Sequence, residues 1–154
     1  MSAPNVARLL FALVCQGPAL SVEQAQGNAC VWCPRTLLHG DRVALGGGGS
    51  WWPQACRPCY AARSQVVSTY IAWNDHLLLC AACAAGRCDT DATLRTAHLA
   101  ARECIGREAV WCLNCATFAR GGAFRPFFWE SRRGPELSYV HVECHRTRTR
   151  PVSA

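Results

Sequence analysis

The sequence contains no lysine, so all sixteen of its basic residues are arginine; a GC-rich genome produces that bias by itself, and it carries no functional weight. Long apolar runs are also missing. The stretch from Val6 to Cys15 is about ten residues with Arg8 inside it, against the roughly twenty that a membrane-spanning helix needs. No small-residue cleavage motif follows it, so neither a membrane span nor a secretory signal is expected. Catalytic signatures are absent as well: there is no Gly-x-Ser-x-Gly elbow, no P-loop, no His-Glu-x-x-His and no carboxylate pair in a pocket context. The four glycines from Gly46 to Gly49 lack the strand-loop-helix setting and the following lysine of a phosphate loop, and read as a flexible hairpin tip. These absences argue against an enzyme and indicate no small-molecule substrate.

What the chain has in excess is cysteine, with twelve in 154 residues. Without a secretory signal the expected compartment is the reducing cytoplasm, where Cys-x2-Cys pairs hold metal far more often than they form disulfides. A chain of this length has room for one ordinary domain or for two or three small ones; the cysteine content favours small modules in which metal supplements a small core.

The stretch from Cys56 to Cys88 organises the rest. It opens on the pair Cys56 and Cys59, runs through the helical pattern of Val66, Val67, Tyr70 and Ile71, and ends on His76, Cys80, Cys83 and Cys88. On a continuous helix His76, Cys80 and Cys83 stand at i, i+4 and i+7 and share one face. Cys88, just after Gly86, supplies a fourth ligand where the chain folds back. Upstream, Cys30 and Cys33 complete a site with Cys56 and Cys59. Downstream, Cys112 and Cys115 pair with His141 and Cys144. His145 is the alternative to His141, but the two-residue gap to Cys144 matches the other pairs and favours His141. Three tetrads rich in thiolate predict three zinc ions, and four protein ligands at each leave no open position for water or substrate, the mark of structural rather than catalytic zinc. Cys15, read as a core cysteine, and Cys104 are left over; either as a nucleophile, with a cysteine-dependent enzyme as the consequence, lacks an assignable base. His98 shares a helix face with Leu94 and Ala101; it is a metal ligand in one reading, but the three tetrads do not need it, and it is read as a core or surface residue.

Local signals place these ligands. Residues 5–15 read as a short amphipathic helix, and Ser21 to Gln24 has capping-box spacing. Arg42 to Leu45 and Trp51-Trp52 read as hairpin strands leading into the long helix. Thr90 is a plausible N-cap for a helix from Asp91 to about Cys104, ended by Gly106. Strands are expected at Thr117 to Ala119, Arg125 to Glu130 and Leu137 to Val140, with a turn from Ser131 to Pro135. The expected organisation is a helical leader (1–28) that packs on the first module or docks on a partner, a first zinc module (29–75), a helical zinc site with a linker helix (76–106) and a second zinc module with a basic tail (107–154).

Knuckle, hairpin, then helix with two ligands in its first turn resembles a treble-clef zinc finger, and Cys-x2-Cys-x22-Cys-x2-Cys and Cys-x2-Cys-x25-His-x2-Cys share that order. The resemblance covers the two outer modules and implies a small α+β, zinc-stabilised chain with two treble-clef-like fingers flanking a helical zinc site. The triplet His76-x3-Cys80-x2-Cys83 is similar to the helical motif of zinc-binding anti-sigma factors, which implies a thiol-redox or anti-sigma-like regulator, although here the fourth cysteine lies downstream. The whole chain resembles small multi-zinc actinobacterial proteins, a resemblance that implies no particular activity.

The function expected is therefore a non-enzymatic regulatory or adaptor module that contacts protein or nucleic acid. Hairpin aromatics (Trp51, Trp52, Phe127, Phe128, Trp129) offer a surface to a protein partner, and they serve equally as core for small modules. A net charge of +6 invites nucleic acid, but ten ligand thiolates against three Zn2+ ions leave roughly +2. Candidate nucleic-acid contacts are Arg120, Arg125, Arg132 and Arg133, in a region from Arg120 to Arg150 that holds seven arginines against three acids.

Overall fold

The computed structural model describes residues 6–15, 19–47, 50–84, 88–119, 124–131 and 134–144. In chain order the elements are α1 (Val6–Cys15), α2 (Val22–Ala25), β1 (Arg42–Ala44), β2 (Gln54–Cys56), α3 (Arg57–Leu79), α4 (Ala81–Ala84), α5 (Asp89–Glu103), β3 (Val110–Trp111), β4 (Phe118–Ala119), β5 (Phe124–Ser131) and β6 (Gly134–His141). Among the described residues the strands form three antiparallel two-stranded sheets, β1-β2, β3-β4 and β5-β6. The chain is thus a small α+β protein, and no helix among the described residues is long and apolar enough to cross a membrane.

The axis is α3, whose 23 residues span about 35 Å. It starts where Cys56 adopts an extended conformation and Pro58, which has no N–H to lose, enters the first turn. Val66, Val67, Tyr70 and Trp73 are its buried residues, and separate clusters form along it. Cys30, Val31, Leu37, Leu45, Ala55 and Cys56 build one core near its start. Tyr70 and Trp73 build another with Val110, Phe124 and Tyr139. Between them, Leu9, Leu10 and Leu13 of α1 pack on Val67, with Phe128 and Leu137 of the β5-β6 hairpin alongside. The leader therefore bridges α3 to the C-terminal hairpin, each buried leucine contributing about 1.5–3 kcal/mol. With Leu13 and Val14 turned inward, Cys15 falls on the outer face of α1 and is exposed, which corrects its reading as a core residue.

Several expected boundaries move, for identifiable reasons. The strand placed at Trp51-Trp52 lies further on, at Gln54–Cys56, in register Arg42↔Cys56 and Ala44↔Gln54. Trp51 instead packs edge-on against Phe11 at 4.9 Å, and Trp52 is 53% exposed. Gly27, which ends the α2 turn at φ +76, admits no side chain, because a Cβ there would stand 2.7 Å from the Trp52 carbonyl oxygen. The single helix carrying His76, Cys80 and Cys83 does not exist as such. α3 stops at Leu79, Cys80 is extended (φ −93, ψ 112), and Cys83 belongs to the four-residue α4. Helix α5 begins at Asp89 with Cys88, not Thr90, as its N-cap; a cysteine already placed at the site sets the start ahead of the better capping side chain.

At the C-terminal end the hairpin exceeds its expected length. β5 and β6 are eight residues each and pair from Phe124↔His141 to Ser131↔Gly134, so Ser131, Gly134 and Pro135 of the expected turn belong to the strands, and residues 132 and 133 lie outside the described set. Beneath this hairpin is a buried polar chain. His98, fully buried, bonds Thr69 Oγ1 through Nδ1 at 2.9 Å and the Tyr139 hydroxyl through Nε2 at 2.7 Å. Arg102 donates to the same hydroxyl at 3.0 Å and to the Ala109 carbonyl at 2.8 Å. His98 is thus a core residue, and burial, reinforced by the charge of Arg102, lowers its pKa from 6.5 to about 3.

Candidate metal centres

The twelve expected ligands gather in space as the same three groups: Cys30, Cys33, Cys56 and Cys59; His76, Cys80, Cys83 and Cys88; Cys112, Cys115, His141 and Cys144. Within each group every ligand atom lies within 4.8 Å of the others. Two sulfurs each 2.3 Å from a tetrahedral ion stand about 3.8 Å apart, and the structure has Cys33 Sγ to Cys56 Sγ at 3.9 Å and Cys80 Sγ to Cys88 Sγ at 3.8 Å. A disulfide would need about 2.05 Å; all twelve cysteines are free. The separations and the donor set therefore fit a metal ion at each centre.

In the first centre the two pairs come from distant parts of the chain. The Cys30 amide bonds the Arg35 carbonyl at 2.9 Å, folding residues 30–35 into a knuckle, and the β1-β2 hairpin returns the chain so that Cys56 and Cys59 enter at the start of α3. The Cys56 amide points at Cys30 Sγ at 3.4 Å. Burial works against a Cys30 thiolate, but this amide, the Trp32 amide and the neighbouring thiols outweigh it and lower the Cys30 pKa. Burial raises Cys33 and Cys59, and Cys59 is raised further by its cysteine neighbours. Arg63, stacked on Trp32 at 4.6 Å, is a cation close to Cys59 and Cys30 of this centre.

The middle centre is local, all four ligands falling within residues 76–88. His76 faces the group through Nε2, 3.2 Å from Cys88 Sγ, and contact with His76 leads the causes that lower the Cys88 pKa to about 6. Cys83, the one buried ligand here, is pushed up to about 12 by burial and by Cys88 and Cys80. Leu78 and Leu79 beside it are 69% and 86% exposed. Gly86, expected to turn the chain toward Cys88, lies outside the described residues.

The third centre faces its histidine inward through the other ring nitrogen. His141 Nδ1 is 3.2 Å from Cys115 Sγ and 3.8 Å from Cys144 Sγ, while the His141 amide points at Cys112 Sγ at 3.4 Å. Burial opposes ionisation of Cys112, yet the amides of Cys115, His141 and Asn114 lower its pKa to about 6. Burial and the neighbouring Cys115 and Cys112 raise Cys144. Every centre thus favours one thiolate and penalises another, as expected of sulfurs that need a cation before they can share one site. His145 lies outside the described residues, and neither exposed Cys15 nor exposed Cys104 belongs to a group.

Of the candidate nucleic-acid contacts, Arg120, Arg132 and Arg133 lie outside the described residues, and Arg125 sits half-buried in β5 opposite Val140. Of the hairpin aromatics read either as a partner surface or as core, Phe127 and Phe128 are half-buried, Phe128 packing beside α1. Only the backbone of Trp129, in β5, is described. The exposed aromatics missed in the sequence are Trp111 and Phe118, 49% and 61% exposed and paired edge-on at 4.8 Å. Alternation was the available signal, since Val110 turns inward on the same strand and leaves Trp111 outward. Comparison with protein-family models, curated proteins and solved structures finds no match for this chain.

Proposed function

We propose that this chain is a zinc-stabilised regulatory or adaptor module of the cytoplasm, with treble-clef-like fingers around the first and third centres, working through contacts with a protein partner and without catalysis of its own. The observation that carries this reading is that each centre has four protein ligands, so an ion bound there is closed to substrate and contributes folding free energy instead. Thiolate-rich tetrads of this kind favour zinc over magnesium or calcium, which take oxygen ligands. Protein is the favoured partner class because the one described arginine among the nucleic-acid candidates is half-buried in a strand.

Metal analysis of protein purified without added zinc tests the reading, with three equivalents per chain expected. Cys80→Ser should lose about one equivalent, whereas Cys15→Ser and Cys104→Ser should lose none. A second reading, a thiol-redox switch at the middle centre, is favoured by that centre's position. It has one buried ligand and two exposed leucines beside it, whereas Cys30 and Cys56 of the first centre are part of a hydrophobic cluster. Peroxide that released one zinc, from the middle centre alone, would establish the switch.

A further inference from the structure

Beside the third centre a cleft of about 280 Å³ is lined by Arg102, Arg107, Trp111, Phe118, Glu136 and Tyr139, among others. Two features of it are unexplained by the metal sites. Trp111 and Phe118 hold large apolar surfaces in water on a two-stranded sheet, where they stabilise little beyond each other. Arg102 is 8% exposed, lies over the Tyr139 ring at 4.9 Å and has a buried Nε without a hydrogen-bond partner. Among the described residues neither it nor Arg107 forms an ion pair with a carboxylate. A guanidinium this buried ordinarily has an anionic partner, and none of the described residues supplies it.

We infer that this cleft is a peptide-docking site whose partner is a short linear segment carrying an aromatic or branched apolar side chain next to a carboxylate. The apolar side chain lies against Trp111 and Phe118, and the carboxylate faces the Arg107 and Arg102 side. Glu136 adds an acceptor for a peptide N–H and disfavours phosphate, so the mixed lining fits peptide better than a nucleic-acid strand. Trp, Tyr, Phe and Arg are also the residues enriched where protein partners are held. The platform strands β3 and β4 flank the knuckle of Cys112 and Cys115, so metal at the third centre fixes the platform. The inference deepens the adaptor reading proposed above and rests on it.

The test uses the full-length, metal-loaded chain and an array of N-acetylated octapeptides in which an aromatic residue stands one to three positions from an aspartate. Control peptides carry lysine for aspartate or alanine for the aromatic residue, and oligothymidylate serves as a nucleic-acid probe. Peptides with both features should bind and the controls should not. Phe118→Ala should weaken binding roughly tenfold or more, and Arg107→Glu should turn the preference toward the lysine peptides. Both side chains are exposed and neither is a metal ligand, so zinc content and circular dichroism should stay unchanged. No retained peptide, equal retention of the controls, or tighter, variant-sensitive binding of oligothymidylate would overturn the inference. Zinc analysis of the same samples separates the two failures: three equivalents with no peptide bound removes the docking site alone, and fewer equivalents counts against the module itself.

Discussion

The first and third centres use the same pattern of ligand pairs, with His141 in the third standing where the first has Cys56, and are held in different ways. In the first, Cys30 and Cys56 are 0% and 2% exposed, the strands of its hairpin are three residues long, and the cysteines themselves belong to the hydrophobic cluster. In the third, Cys112 is buried but Cys115 is exposed, and the hairpin has eight-residue strands braced by α1 and by the chain from Thr69 through His98 and Tyr139 to Arg102. Removing metal from the first leaves adjacent sulfurs inside a small apolar cluster whose sheet has only three-residue strands. Removing it from the third leaves a hairpin with its own packing and hydrogen bonds. A shared pattern of ligand pairs therefore says little about how much of the local fold depends on the ion.

The largest effect is expected from breaking the first centre. Cys56→Ser should lose one zinc and unfold the β1-β2 region, because the ion's binding free energy, on the order of 10 kcal/mol, is the main term there. His141→Ala should also lose one zinc but keep most of the far-UV circular dichroism and a cooperative melt. Equal collapse in both variants would erase the contrast between the two centres.

Next in size is the pH dependence of the polar brace. His98 has its pKa lowered to about 3 in the folded chain from 6.5, so between those values the unfolded chain binds a proton that the folded one does not. Its contribution is therefore complete above about pH 6.5 and is lost as the pH falls toward 3, up to on the order of 5 kcal/mol. Denaturant titrations of metal-loaded wild type and His98→Gln at pH 7 and pH 5 should show the wild type losing more stability on acidification. Equal losses would mean that His98 does not stay neutral in the fold.

A smaller effect is expected from Tyr139→Phe, which removes the hydroxyl shared by His98 and Arg102 and should cost about 1–3 kcal/mol by leaving buried groups unpaired, with zinc content unchanged. The smallest comes from the knuckles. Ala116, after the second cysteine of the third centre, holds a left-handed φ of 53, while Pro34 stands at the matching position of the first. Ala116→Gly should relieve that strain and raise stability by a few tenths to about 1 kcal/mol, measured by thermal melting. A lowered melting temperature would show that the alanine methyl is worth more than the strain.

Much of the ligand set was legible before the fold, because Cys-x2-Cys spacing is a local property and a metal tetrad tolerates few substitutes. The capping box at Ser21 and Gln24, with both hydrogen bonds formed, and Gly106 at φ +70 just past α5 were legible for the same reason: each is settled by neighbours a few residues away. The helical stripe of His76, Cys80 and Cys83 was misread because periodicity says nothing about where a helix must stop so that Cys88, five residues beyond Cys83, can join the group. The strand placed at Trp51-Trp52 was misread because bulky aromatics favour a strand, while packing against Phe11 and pairing of Gln54–Cys56 with β1 decided otherwise.

The sequence by itself determined that this is a small α+β chain with three Cys/His tetrads, since ligand type and spacing are written locally and set what an ion can reach. The tertiary structure alone decided which histidine nitrogen faces the middle and third centres, that α1 bridges α3 and the C-terminal hairpin, that His98, Tyr139 and Arg102 meet in one buried chain, and that Trp111 and Phe118 are left in water beside Arg102 and Arg107, which have no carboxylate partner among the described residues. These depend on contacts between residues that are dozens of positions apart, such as the hydrogen bond between His98 and Tyr139, 41 residues apart. No local pattern encodes such a contact, because its free energy exists only once the intervening chain has folded.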